Sequence, residues 1–154
     1  MANATEDLAW YDVSVIGKRT RLPVGDHPLF IGTMVAQTDA SPHRIVPGTT
    51  PGSGSCVGVV RNGALPDHMC EIMTDTVWTF ESVSGPDEVT NDSVALGDVV
   101  YMDDDHTVTA SDTIESGEAQ IAGIFLGMDN ERVKVWIRPD LRLPPPPPPP
   151  SGGT

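Results

Sequence analysis

Hydrophobic and polar residues alternate in short runs along most of this chain, with the two-residue period of a half-buried β-strand. Glycine, proline, asparagine and aspartate separate the runs at close spacing, as turns separate strands. The runs are YDVSVIG, PLFIGTMVA, SCVGVV, HMCEIM, TVWTFESV, GDVVYMD, HTVTA, QIAGIFLGM and RVKVWIR. The pattern therefore predicts an all-β fold, a single small β-barrel or sandwich.

The alternation also predicts which residues share a face of each strand. It pairs Val13 with Val15, Trp78 with Phe80, and Val99 with Tyr101. In RVKVWIR it predicts an inner face of Val133, Val135 and Ile137 and an outer face of Arg132, Lys134, Trp136 and Arg138. No run has a convincing amphipathic helical period, although a short helical turn is expected near 94–98, where Gly97 would end it.

Composition divides the chain into three zones. Residues 1–10 are polar and unpatterned and predict an extended N-terminal arm. Residues 11–140 carry the strand pattern and predict the folded domain, with a long Gly/Pro-rich loop at 39–55. Residues 141–154 predict a polyproline C-terminal tail, because seven consecutive prolines, Pro144 to Pro150, cannot join a sheet. Such a rod rises about 3 Å per residue, roughly 20 Å in all.

Charge narrows the partners that the chain can bind. The formal charge is −13, and the stretch from Asn62 to Glu131 holds sixteen acidic residues and neither lysine nor arginine. We therefore expect no nucleic acid and no anionic membrane as a partner, since both require a basic surface. This uneven distribution of charge has two interpretations. Either it serves solubility, because like-charged copies repel each other, or the molecule has two differently charged ends, one of which binds a surface of opposite charge.

Targeting signals and cysteines point to a reducing compartment. The N-terminal sequence MANATEDLAWYDV has neither a basic nor an apolar signal-peptide region, and no apolar run approaches the roughly 20 residues of a membrane span. We expect synthesis in a cytoplasm, where Cys56 and Cys70 stay reduced. Cys70 lies in an alternating run and is expected to be buried.

Three groups of residues have the composition of a metal site or a catalytic motif, but each is better explained by a structural role. Residues 103–106, DDDH, lie between two strand-like runs and predict a solvated hairpin turn rather than a metal site. Residues 54–58, GSCVG, have the form of a nucleophile elbow but lack the strand before it and the helix after it. Cys56, His68 and Cys70 would make a weak zinc signal without a Cys-x-x-Cys pair. We therefore predict no enzyme activity and no cofactor.

An aromatic residue among cations indicates a binding surface. Trp136 lies on the predicted outer face of the last strand, where it forms either a cation–π stack, a contact surface, or a contact with a local segment of its own chain. Proline rods dock on aromatic side chains. The proline tail could therefore lie on Trp136, or on Trp10 and Tyr11 at the end of the arm, in its own chain or in a neighbouring one. The candidate interface residues are Trp10, Tyr11, Arg132, Lys134, Trp136, Arg138, Pro144, Pro147 and Pro150.

The second half of the chain carries an ordered series of short motifs. A Gly-Asp turn leads into VVYMD, a turn and a Val-Thr strand, then GIFLG and the final VKVWI. In this series the stretch 70–139 resembles the small β-barrel capsid decoration (cement) proteins of tailed bacteriophages. The matching residues are Gly97, Asp98, Val99, Tyr101, Asp103, Val108, Thr109, Gly123, Leu126, Gly127, Val133, Val135 and Ile137. RLPVGDHPLFIGTMVA and SCVGVV are similar to that family's first strands, whereas the 39–55 loop and the proline tail depart from its pattern.

The resemblance implies a structural virion protein without enzyme activity. Such a protein is made in the host cytoplasm and binds the outer surface of an expanded capsid, so its partners are the major capsid protein and its own copies, often in a homotrimer. The arm and the pre-extended proline tail would strap neighbouring subunits, or the tail would project as a stiff spacer. Two alternatives stay open: a receptor- or glycan-binding module on the virion surface, and an enzyme using Cys56 or a metal at His68.

Overall fold

The computed structural model describes residues 3–8, 18–115 and 117–139, which form twelve β-strands and no helix. The predicted strand at 11–17, Trp10, Tyr11 and the tail with Pro144, Pro147 and Pro150 lie outside the described residues, as do residues 11 and 140, the predicted domain limits. The strands are β1 (Lys18–Pro23), β2 (Met34–Thr38), β3 (Ile45–Pro47), β4 (Ser53–Asn62), β5 (Met69–Thr74), β6 (Thr76–Ser82), β7 (Val99–Met102), β8 (Thr107–Thr109), β9 (Thr113–Ile114), β10 (Gly117–Glu118), β11 (Ile121–Asp129) and β12 (Arg132–Ile137).

Five strands close a barrel in the order β11-β12-β6-β8-β7, which confirms the predicted all-β barrel fold. Neighbouring strands are antiparallel except β6 and β8, which run parallel. The two-residue alternation directs one face of each strand inward, so that Trp78 and Phe80 are both only 1% exposed. Val133, Val135 and Ile137 are fully buried, as the sequence predicts.

Strands β1 to β5 form an antiparallel sheet in the order β1-β5-β4-β2-β3. Just beyond β1, Val24 bridges Ile45 of β3, so the two ends of the sheet meet and the sheet rolls on itself. This rolled sheet encloses a small second core made of Val24, Leu29, Val35, Ile45, Val60, Cys70 and Ile72. The outer side of the same sheet contributes Met34, Cys56, Val59 and Met73 to the core of the barrel. The core of the barrel is therefore built from both the barrel strands and the outer side of the rolled sheet, and the smaller core lies within the rolled sheet alone.

Two local predictions were wrong. The predicted loop at 39–55 contains β3 and the first residues of β4, because Ile45 and Val46 are buried and pair with β2. The surrounding glycines and prolines conceal this three-residue strand in the sequence. The predicted helical turn at 94–98 consists instead of hydrogen-bonded turns, in which Gly97 has a φ of 92° that favours glycine.

Candidate interaction surfaces

The predicted outer face of β12 is real but partly covered by its own chain. Arg132, Lys134, Trp136 and Arg138 are all half-buried and lie on the face opposite the core. The guanidinium of Arg138 stacks 4.8 Å from the centre of the Trp136 ring, as a cation–π pair does. The indole Nε1 of Trp136 donates a 3.0 Å hydrogen bond to Oδ1 of Asp75. The aromatic side chain is thus held in place within the molecule.

Arg132 links the last strand to β6. Its Nε donates to Oγ1 of Thr79 at 3.1 Å and its Nη2 donates to the Thr79 carbonyl at 2.8 Å. Its Nη1 lies 3.8 Å from Oε1 of Glu81, an exposed carboxylate. This guanidinium is therefore a fixed positive charge on the outside of the barrel. The structure brings the four described interface candidates together on one face, and the other five lie outside the described residues.

The acidic turn 103–106 joins β7 to β8 as a hairpin, as predicted, but it is not solvated. Asp104 is 8% exposed and Asp105 only 2%. Nδ1 of His106 lies 2.8 Å from Oδ1 of Asp105 and 3.2 Å from Oδ1 of Asp104. Burial raises the pKa of Asp105, against the lowering effects of the His106 and Ala4 hydrogen bonds. Burial and the neighbouring Asp104 carboxylate also raise the pKa of Asp103.

The N-terminal segment 3–8 explains why this turn is buried. The backbone N–H of Ala4 donates to both carboxylate oxygens of Asp105, at 2.9 and 3.2 Å. Further along, Oδ1 of Asp7 accepts a bond from the Ile31 N–H, and the Leu8 N–H donates to the Ile31 carbonyl, both at 2.9 Å. This part of the predicted arm therefore lies on its own domain. No signal in the sequence pairs residue 4 with residue 105.

The side chains of Asp104, Asp105 and His106 bring their potential metal-ligand atoms within 4.8 Å of one another. Their carboxylates accept hydrogen bonds from the His106 and Ala4 backbone N–H groups as well as facing the imidazole. These bonds account for the arrangement of the three side chains. The cluster acts as an internal anchor for the N-terminal segment.

Both cysteines are buried thiols with little nucleophilic character. Burial raises the pKa of Cys56 to about 12 and that of Cys70 to about 11. Cys56 lies in the core of the barrel and Cys70 in the core of the rolled sheet, on opposite faces of the same sheet. The pair therefore does not converge on a common zinc site with His68, and Cys56 does not form a nucleophile elbow, since it lies within β4.

An open acidic groove lies at one end of the barrel and was not predicted from the sequence. Its volume is about 840 Å³, and its walls are the end of β6, the segment 88–92 and the β11–β12 connection. The carboxylates that line this acidic groove are those of Glu81, Glu88, Asp92 and Glu131. The sequence shows the excess of acidic residues but not which of them meet.

A smaller cavity of about 160 Å³ lies beside the N-terminal segment. Leu8 and Gly32 form one side, and Trp78, Phe80, His106 and Arg132 are among the residues of the other. The cavity is too small for most ligands, which occupy roughly 300–1,000 Å³. Across the described ranges, the structure contains no helix long and apolar enough to cross a bilayer.

Comparison with known proteins does not extend these observations: the chain matches no protein-family model, no curated protein and no solved structure.

Proposed function

We propose that this protein is a structural virion protein that binds the outer surface of an expanded bacteriophage capsid and stabilises it. One observation carries the proposal. The residues that resemble the decoration proteins lie on β7, β8, β11 and β12, which are four of the five strands of the closed barrel, and in the turns before and after β7. The resemblance therefore concerns a connected structural unit rather than scattered matches.

The geometry of the motif supports this interpretation. The Gly-Asp turn is fastened to β11 by two backbone bonds, from the Gly97 N–H to the Phe125 carbonyl at 2.9 Å and from the Phe125 N–H to the Asp98 carbonyl at 2.8 Å. Gly123 of the next motif faces the backbone of Trp136, where a Cβ atom has no room. Both glycines thus have a defined physical role in closing the barrel.

The chemistry of the described residues supports binding rather than catalysis. The two thiols are buried and protonated at neutral pH, and the acidic cluster with His106 is engaged in holding the N-terminal segment. We propose the major capsid protein and further copies of the chain, in a homotrimer, as the partners. The location is then the capsid exterior, after synthesis in the host cytoplasm, with the arm or the proline tail strapping neighbouring subunits.

The glycan-binding alternative depends on an open aromatic face, since sugars stack on such faces. In the structure Arg138 occupies one side of the Trp136 ring, and the indole N–H is already bonded to Asp75. This arrangement favours the structural role over a carbohydrate site at Trp136.

The test is co-sedimentation of the purified protein with expanded phage heads that lack it, with bound copies counted per major capsid subunit. We expect saturable binding near one copy per capsid subunit and no binding to unexpanded shells. A few copies per particle, or none, would contradict the proposal and favour a receptor-binding module. The chain without residues 144–154 is the matched variant, and its weaker binding would indicate that the tail acts as a strap.

A further inference from the structure

The outer face of the rolled sheet carries three of the nine basic residues of this acidic protein. Arg19 and Arg21 of β1 are exposed and pair in register with Met73 and Glu71 of β5. Arg61 of β4 reaches the same carboxylate, with its Nε 3.1 Å from Oε1 of Glu71. The three guanidinium groups of Arg19, Arg21 and Arg61 thus lie on one sheet surface together with the Glu71 carboxylate. We call Arg19, Arg21 and Arg61 the basic face.

This face adjoins an end strand of the sheet. β1 is the end strand of the sheet, and within the described ranges no strand pairs with its other side from Lys18 to Pro23. Cations on an edge strand usually prevent edge-to-edge association, because like charges repel. That protection does not act against an acidic surface, which the same cations attract.

The acidic groove offers a surface of the opposite charge. Four carboxylates and the single guanidinium of Arg132 are among the side chains that line it. The wall at 88–92 is held by the neighbouring Ser93, whose Oγ accepts a hydrogen bond from the Thr90 N–H and donates one to the Glu88 carbonyl, both at 2.8 Å. The carboxylates are thus presented on a preorganised turn.

We propose that the basic face of one copy docks into the acidic groove of a second copy. Charge complementarity identifies the occupant, because the groove needs a cationic partner and the same chain presents one on a different sheet. The two surfaces lie on different elements, so the contact is head-to-tail, and it forms a ring if the rotation closes or a filament if it does not. The proposal concerns the isolated protein and is independent of the capsid role.

The test uses two charge-reversal pairs with exposed side chains. Arg19→Glu with Arg21→Glu inactivates the basic face, and Glu88→Lys with Glu131→Lys inactivates the groove. Each is compared with the full chain by sedimentation velocity over a concentration series at about 0.15 M salt, where the Debye length is about 8 Å and the overall charge is screened. We expect the unsubstituted protein to self-associate and each double variant to associate about tenfold or more weakly.

The decisive sample is a mixture of the two variants. One retains the original groove and the other retains the original basic face, so the mixture should regain the association that each variant alone has lost. Asp98→Lys with Asp112→Lys changes the net charge as much as the groove variant does, at exposed positions outside the groove, and leaves association intact. Thermal unfolding checks that each variant is folded.

Three results would overturn the proposal: an unsubstituted chain that stays monomeric throughout the series, a control pair that weakens association as much as the groove pair, or a mixture that associates no more than each variant alone. If the unsubstituted protein is monomeric, the partner of the groove is instead a cationic segment of a different protein.

Discussion

The backbone N–H of Ala4 donates a 2.9 Å hydrogen bond to the carboxylate of Asp105, across 101 residues of sequence. The carboxylate is 2% exposed and also faces the imidazole of His106. Asp105 thereby helps to attach the N-terminal segment 3–8 to the β7–β8 turn of the barrel.

Asp105→Ala should release the N-terminal segment and destabilise the fold. The change leaves the half-buried Ala4 N–H and His106 imidazole without this acceptor, and losing a hydrogen bond of this kind costs on the order of 1 kcal/mol. Hydrogen exchange at residues 3–8 and urea unfolding measure the two effects. Asp105→Asn keeps a hydrogen-bond acceptor of the same shape and is the matched control. Unchanged exchange in the alanine variant would show that the remaining bonds near Ile31 suffice to hold the segment.

The pH dependence of stability should reveal the buried carboxylate. The pKa of Asp105 is raised above its ordinary value of 3.8, chiefly by burial, so the folded state binds more protons than the unfolded state just above that pH. Asp105 therefore contributes less stability as the pH rises from about 3.8 through its raised pKa. Replacement by Asn removes this loss, so the stability of Asp105→Asn relative to the parent should increase with pH across that window.

Chemical denaturation of both proteins at several pH values measures this difference. The groups that act on the Asp105 carboxylate are His106, the Ala4 N–H and Asp104, and the pKa of Asp103, which lies in the same turn, is also raised. Asp103→Asn provides the comparison for that neighbour. A difference that is constant with pH would contradict the burial of an ionisable Asp105.

The hydrogen bond from the Trp136 indole N–H to Asp75 should stabilise the bend between β5 and β6. Asp75 is the one residue between these strands and has a φ of 50°, where aspartate and asparagine are better tolerated than most residues. Trp136→Phe keeps an aromatic ring for Arg138 but removes the N–H donor, so we expect a loss of about 1 kcal/mol in urea unfolding.

Substitutions at Asp75, the acceptor of this bond, compare the contribution of the hydrogen bond with that of the backbone conformation. Asp75→Asn keeps the acceptor and the backbone preference and should cost least, whereas Asp75→Ala loses both and should cost most. An alanine variant as stable as the asparagine variant would mean that neither the bond nor the backbone conformation matters.

Gly123→Ala should disrupt the barrel. A Cβ atom at this position would collide with the Trp136 carbonyl oxygen and lie 2.7 Å from Cγ1 of Val135, both on the neighbouring strand. We expect a loss of roughly 3 kcal/mol or more, measured as a fall in the thermal midpoint or in soluble yield. Gly54→Ala is the matched control, since a Cβ there approaches no atom closer than 4.0 Å, and its effect should stay within about 0.5 kcal/mol. Equal effects of the two substitutions would contradict the close approach of β11 and β12.

Local features of the sequence were sufficient for much of the barrel. Alternation in RVKVWIR correctly separated Val133, Val135 and Ile137 from the outer residues, and the same rule placed Trp78 and Phe80 inside. It also located the β7–β8 hairpin and the burial of Cys70. These features follow from side chains that alternate across one strand, and so neighbouring residues carry the information.

Features that join distant parts of the chain required the tertiary structure. The burial of Asp105 depends on Ala4, and the acidic groove gathers Glu81 with Glu131. The short strand β3 gains its stability from pairing with β2 and Val24, which its glycine- and proline-rich surroundings do not indicate. Alternation fixes the inner and outer faces of a strand but not which strand lies beside it. Strand order and closure arise from the burial of all the inner faces at once, and no single run of sequence contains that information.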